Sequence, residues 1–159
     1  MTDTDQSELA VDMVASFSEF YGAELPGQVR RAALMVGSSE VAHDLVHDVF
    51  VEIYARWDSI DNPGPYLNRS VLNRCRDVGR SRARRARLSE RLRPELTVWD
   101  DEPIADLLDG LPFNQRAVVV LRFYVGLNNL EIADALGCAP GSVGPWTARA
   151  LEHLRKVMP

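Results

Sequence analysis

Apolar residues recur along this chain at helical spacing, in blocks separated by short Gly/Pro-rich gaps, and no strong strand alternation is present. The clearest block lies between Ser38 and Trp57. Val41, Leu45, Val49, Ile53 and Trp57 fall four apart, and Ala42, Val46, Phe50 and Tyr54 form the adjacent row. Together they predict one broad buried face on a helix, and Ser38-Ser39-Glu40 supplies its start, since serine oxygens cap free amides. A third row, Glu40, Asp44, Asp48 and Glu52, is acidic, with His43 and His47 beside it. Like charges four apart slightly weaken an isolated helix. The ridge reads as a solvated face or as a docking surface.

Upstream, a helix is predicted from near Ser16, carrying Phe17, Phe20 and Tyr21, with residues 1–12 as a loose leader. Pro26 kinks that helix or divides it in two; the pattern resumes through Val29, Ala33 and Met35 and stops at Gly37. Downstream, Asp58 to Pro65 reads DSIDNPGP, a turn-rich loop. A third helix starts near Pro63 or Pro65. Tyr66, Leu67, Val71, Leu72, Cys75 and Val78 form its apolar side; Arg69, Asn73, Arg76 and Arg80 line another, joined by Arg74. The apolar stripe fades beyond about Arg85.

Pro94 and the acids Asp100, Asp101 and Glu102 mark a linker. Ile104, Leu107 and Leu108 open a second helical unit, with a break at Gly110-Leu111-Pro112. Ala117, Val118, Leu121, Tyr124 and Val125, together with Val119-Val120, predict its central helix, ended by Gly126. From Asn128, Leu130, Ile132, Ala133 and Leu136 keep helical spacing up to Gly137, and Val143, Ala150, Leu151 and Leu154 supply a last segment. This pair reads as a helix-turn-helix or as a plain helical hairpin. The pattern as a whole predicts an all-α chain of two small helical domains, residues 13–87 and 103–158, joined by a linker at 88–102.

Charge sharpens this division. The net charge is −5, but residues 1–68 hold 3 basic and 12 acidic residues, residues 69–93 hold 10 Arg against Asp77 and Glu90, and residues 94–159 hold 5 basic and 9 acidic. The middle block, net +8, suits nucleic acid, because neutralising phosphates releases counterions. Arginine, 17 of the 18 basic residues, suits phosphate through its planar donor fork. Tyr66 and Trp57 flank the Pro/Gly loop, where aromatics can stack on unpaired bases, although Trp57 also fits the core. No convincing nucleophile–base pair or Walker-type loop is present, so an enzyme is not expected. His43 and His47 sit i, i+4, but HDLVH lacks the glutamate of HExxH and any third ligand. Cys75 and Cys138 read as buried free thiols. No apolar run is long enough to cross a membrane, and MTDTDQSELAVD lacks a signal pattern, so a cytoplasmic protein is expected.

The order of features resembles the bacterial RNA polymerase sigma factors of the extracytoplasmic-function type, from about Phe17 to Met158. EVAHDLVHDVFVEIYARW is similar to the A-x-D-L-V-Q-E-x-F segment of family region 2, with His47 for the usual Gln and Asp48 for Glu. NPGPYLNRSVLNRCRD is similar to P-x-x-[WY]-L-x-R-x-x-x-N-x-x-R-D, matched at Pro63, Tyr66, Leu67, Arg69, Asn73, Arg76 and Asp77. LLDGLPFNQRAVVVLRFYVGLNNLEIADALGCAPGSVG is similar to the family's region 4 pattern L-x-x-L-P-x-x-x-R-x-V-x-x-L-R-x-x-x-x-L-x-x-x-E-I-A-x-x-L-G-C-x-x-G-[ST]-V-K, matched at Leu111, Pro112, Arg116, Leu121, Arg122, Glu131, Ile132, Ala133, Leu136 and Gly137.

The resemblance implies two helical domains, no cofactor and no small-molecule substrate. It implies core RNA polymerase and promoter DNA as partners, and allows an anti-sigma factor. Asp44, His47, Asp48 and Phe50 are the expected polymerase-docking residues. Asp61, Asn62, Tyr66, Arg69, Asn73, Arg76 and Arg80 are expected at the opened −10 element, and Arg116, Ser142, Trp146, Thr147 and Arg149 at the −35 element. Departures concentrate in Gly144-Pro145-Trp146, where the family usually has Lys and polar residues, and at Ala139, where it usually has a capping residue. Either Pro145 breaks a helix that begins at Pro140, or the helix starts late, with Pro145 as its first residue. A degenerate sigma-like interaction module therefore stands as the alternative reading.

Overall fold

Between Asp3 and Pro26 only Gly22 weakens helical propensity, and Asp3 and Asp5 lie at the positive end of the helix dipole. In the computed structural model, which describes residues 3–88 and 103–158, a single helix α1 accordingly runs from Asp3 to Val36. The expected loose leader is thus helical, and its residues 3–16 are exposed on every side. Pro26 neither splits nor ends α1. The carbonyl that it leaves without an amide donor is that of Gly22, and both residues face solvent, where water replaces the lost bond.

α2, Ser39–Ala55, begins as its sequence suggests, with the Ser38 hydroxyl accepting from the Val41 amide at 3.2 Å. A single 3-10 turn, Trp57–Ser59, leads to α3, Pro63–Leu88, which extends three residues past the fading of its apolar stripe. α1, α2 and α3 pack as a three-helix unit. Its core joins Ala33 and Leu34 of α1 to Val46, Val49 and Ile53 of α2 and Leu67 and Cys75 of α3. At one end the rings of Phe17, Phe20 and Tyr21 close on Phe50, Tyr54 and Trp57; Tyr21 meets Phe50 with centroids 4.9 Å apart. Trp57 belongs to this cluster. The predicted linker, 88–102, lies outside the described residues beyond Leu88.

In the second half, α4 spans Pro103–Leu108 and α5 Phe113–Val119. α5 passes into a wider π-helical turn, Val120–Val125, which Gly126 ends in the left-handed conformation at φ 89°. Residues 116–121 are buried throughout, as a central helix requires. α6, Asn129–Leu136, opens with a reciprocal capping box: the Asn128 side chain accepts from the Glu131 amide, and Glu131 accepts from the Asn128 amide. Leu130 does not join the core; it is 70% exposed. Gly137, at φ 65°, turns the chain into α7, Pro140–Val157.

α7 answers the Pro145 question with neither expected outcome. Pro140 is its first residue, with Ala139 at the cap supplying no side-chain bond, and the helix continues through Pro145. The unpaired carbonyl belongs to Gly141, which is exposed together with Pro145, so the arrangement matches that at Pro26. Val143 and Ala150 bury the inner side of α7 against α5 and α6. Among the described residues no helix is long and apolar enough to cross a membrane, and no group of three metal-ligating side chains forms.

Candidate nucleic-acid interface

α2 is amphipathic, so its phase sorts the expected docking residues. Glu40, Asp44, His47, Asp48 and Glu52 all face solvent. Phe50 does not. It shares the row of Ala42 and Val46, is 1% exposed and lies inside the aromatic cluster, so it supports the acidic face from below and is not part of the exposed surface. The ridge is also less repulsive than its sequence suggests. Arg74 of α3 reaches across to Glu52 and stands 3.8 Å from Asp48. Arg74 therefore leaves the basic side of α3 and neutralises one end of the acidic ridge.

The rest of that basic side stays together. Residues 66, 69, 73, 76 and 80 follow i+3 and i+4 steps, which place them in one stripe on α3. Arg56 donates to the Tyr66 hydroxyl at 3.0 Å, with its guanidinium 5.6 Å from the centre of the Tyr66 ring. This pair fixes Tyr66 beside the exposed loop residues Asp61 and Asn62. Arg76 donates to the Asn73 amide oxygen at 3.1 Å. Arg80 is exposed.

The stripe faces the second half of the molecule. Arg76 donates through Nη1 to the Leu136 carbonyl at the end of α6, at 2.6 Å. Arg69 lies 3.9 Å from Asp134, both side chains being mostly exposed. Further along α3, Gly79 lies flat under Phe113; a Cβ there would sit 2.7 Å from the ring. Gly79 interrupts a helix otherwise rich in arginine, and a glycine at such a place signals close approach.

The C-terminus of α1 joins the two halves. It has no basic residue in its last turn, so its free carbonyls draw cations from elsewhere. Arg82 of α3 donates to the Val36 carbonyl, and Arg116 of α5 donates to the Leu34 carbonyl at 2.6 Å. Arg116 is 8% exposed and has one buried nitrogen without a partner. Burial pushes its pKa down to about 10, with Asp109 opposing and Arg82 adding to the shift. As placed here, Arg116 fastens α5 to α1 and does not face outward beside α7.

The remaining candidates lie on α7. The Thr147 hydroxyl donates to the Val143 carbonyl at 2.8 Å, and Trp146 is half-buried against the core. Ser142 is half-buried and Arg149 exposed. The outward positions of the first turns are Gly141, Gly144, Pro145 and Ala148, which carry no side-chain hydrogen-bond donor. Sequence reasoning missed Arg56, Arg82, Phe113 and the Leu136 carbonyl. Only Gly79 offered a local signal.

Comparison with known proteins agrees with this layout. Residues 20–85 match the family model for sigma-70 region 2, and residues 101–154 match that for sigma-70 region 4. An RNA polymerase sigma-E factor of Streptomyces avermitilis is 31% identical over 153 residues, covering 90% of this chain and 85% of the relative. A sigma-E factor of Streptomyces coelicolor is 30% identical, covering 90% and 86%. Among solved structures, the sigma factor RpoE in complex with the anti-sigma factor NepR from Bartonella quintana shares the fold at a TM-score of 0.68 and 23% identity, covering 89% of this chain and 95% of that one. CnrH in complex with the cytosolic domain of CnrY aligns at a TM-score of 0.62 and 25% identity, covering 90% and 87%.

Proposed function

Because the chain belongs to the sigma-70 family, as a sigma factor of the extracytoplasmic-function type, we propose a division of labour in which α2 docks on core RNA polymerase and α3 takes the larger part in choosing and opening the promoter. Sigma factors direct the polymerase to promoters and perform no chemistry themselves. The observation that carries this reading is the single stripe of Tyr66, Arg69, Asn73, Arg76 and Arg80 on α3, next to the exposed Asp61–Asn62 loop. A flipped base needs a polar pocket and a flat partner; an opened strand needs cations along its backbone. This stripe offers both.

Asp44, His47 and Asp48 on the exposed ridge of α2 form the polymerase-docking surface, at least two of them free of Arg74. The C-terminal helix-turn-helix lies on the −35 element, where Arg149 is its exposed polar group and Ser142 a half-buried one. Its contact there is chiefly one of shape and position. Arg116 supports that unit from within. The protein works in the cytoplasm, where the polymerase is, and an anti-sigma factor is a fitting further partner.

The test is run-off transcription with core polymerase on a genomic promoter library. Promoter-dependent transcripts are expected. Core binding without such transcripts would instead support the second reading, an interaction module that retains the family fold, which the bare outer face of α7 favours.

A further inference from the structure

The aromatic cluster does not end the apolar side of α1. Leu9, Ala10, Met13 and Val14 lead into Phe17, Phe20 and Tyr21 by steps of three and four, so all share one side of the helix. From Phe17 onward α2 covers that side, and Phe17 meets Tyr54 with ring centroids 4.9 Å apart. Before Phe17 no element covers it among the described residues. Leu9 is 50% exposed, Met13 40% and Val14 49%. Where the cover stops, Ala10, Met13 and Val14 meet Tyr54, Ala55 and Trp57 around a groove of about 350 Å³. We propose that this arm of α1 and its groove are a docking site for a basic amphipathic helix of a partner protein, distinct from the acidic ridge of α2.

Charge selects the occupant. Asp5, Glu8, Asp12 and Glu19 follow steps of three, four and seven, forming a stripe beside the apolar side. Asp58 adds a further acid to the groove. Residues 1–29 hold six acidic residues and no Lys or Arg, so the stretch offers no cation of its own. Helices pair along an apolar seam when the charges flanking it are opposite. A helix with Lys or Arg beside its own apolar side meets both conditions. A second copy of this chain would bring the same acidic stripe, and like charges set against each other oppose pairing. An anionic membrane surface attracts basic segments and repels this one.

The arm also gains from being bound. A helical stretch of this length is marginal in water unless tertiary packing covers its apolar side. Residues 3–16 are exposed on every side, so a partner that buries Leu9, Met13 and Val14 stabilises the arm as well as the contact. The site stands apart from the ridge because Asp48 lies about 120° around α2 from Tyr54. The partner helix thus recognises an apolar groove with an acidic border, where the ridge offers chiefly charge.

The test uses the full-length protein and a fluorescein-labelled 14-residue peptide of leucine and lysine, LKKLLKLLKKLLKL. Anisotropy should show binding, and hydrogen exchange should slow across residues 3–16. Leu9→Ser combined with Met13→Ser should weaken binding at least about tenfold, as loss of two anchors does. Asp5→Asn combined with Asp12→Asn should weaken it about threefold and flatten its salt dependence. All four positions are exposed, so the midpoints of unfolding should stay close to that of the wild type. Asp44→Asn combined with Asp48→Asn, on the ridge, should change peptide binding less than about twofold. No binding by the wild type, binding that ignores both arm variants, or equal binding of a peptide with glutamate for lysine overturns the proposal. So does a dimer, seen by sedimentation, that the Leu9→Ser, Met13→Ser variant dissolves, or binding to phosphatidylglycerol vesicles that this variant abolishes. Core polymerase should bind that variant as it binds the wild type; a loss would make the arm part of the polymerase-docking surface and overturn the proposal. Run-off transcription by the wild type reports separately on the functional reading.

Discussion

α3 and α7 are both helices that carry basic residues toward their C-terminal ends, yet they present opposite surfaces. α3 gathers Arg69, Asn73, Arg76 and Arg80 into one row. The first turns of α7 turn Gly141, Gly144, Pro145 and Ala148 outward and keep Trp146 and Thr147 half-buried. A helix can therefore keep the fold and place of a DNA-reading element while losing most of the donors that read bases. On the proposed reading, contact there is limited to backbone fit, and discrimination falls to α3.

The largest effect that bears on this contrast concerns the support beneath the N-terminal face. Phe50→Ala should destabilise the protein by about 3–5 kcal/mol, as for other large core aromatics. Denaturant unfolding measures it. A loss of polymerase binding with unchanged stability would instead return Phe50 to the docking surface.

Next comes the contrast itself. Arg76→Ala combined with Arg80→Ala should lower promoter-dependent transcription roughly 30-fold or more and reduce the salt slope by about 2, one for each lost phosphate contact. Arg149→Ala, on α7, should cost less than about threefold, with a slope change of about 1 at most. Equal losses from the two helices would erase the distinction.

Pro145→Ala sharpens it from the other side. The substitution restores the hydrogen bond to Gly141 and should stabilise the protein by about 1–3 kcal/mol, read as a raised midpoint of unfolding. It should leave promoter choice unchanged, because Pro145 supplies no polar contact.

The smallest effect separates the inner sides of the two units. Burial pushes the Cys75 thiol of α3 from 9.0 up to about 12. Between those values the unfolded chain loses this proton and the folded chain keeps it, so the contribution of Cys75 to stability falls as pH rises from about 9. Near pH 10 the loss should be about 1 kcal/mol, and Cys75→Ala should remove that part of the slope. At pH 8 the half-buried Cys138 should react with a thiol reagent while native Cys75 resists it.

Much of this fold is legible in its sequence, because helical periodicity is a local signal. The rows of α2, its serine start at Ser38, the loop before α3 and the glycine stops at 126 and 137 all follow from neighbouring residues. The misses arise where solvent or tertiary contact decides. Pro26 read as a kink or a division and Pro145 as a break or a late start, but both helices run on, because each proline leaves its free carbonyl on an exposed glycine, within reach of water. Phe50 matched a docking motif, yet its phase puts it inside. Arg116 matched a DNA-contact motif, and no local pattern reveals that the Leu34 carbonyl at the end of α1 would claim it.

The most direct test of the account is run-off transcription with core polymerase on the strongest promoter from the library, with the −10 or the −35 element replaced in turn. The account predicts that replacing the −10 element lowers the transcript at least about 30-fold and replacing the −35 element less than about threefold, given roughly 1–3 kcal/mol for each base pair that is read. Equal dependence on both elements, or a greater dependence on the −35 element, would contradict it.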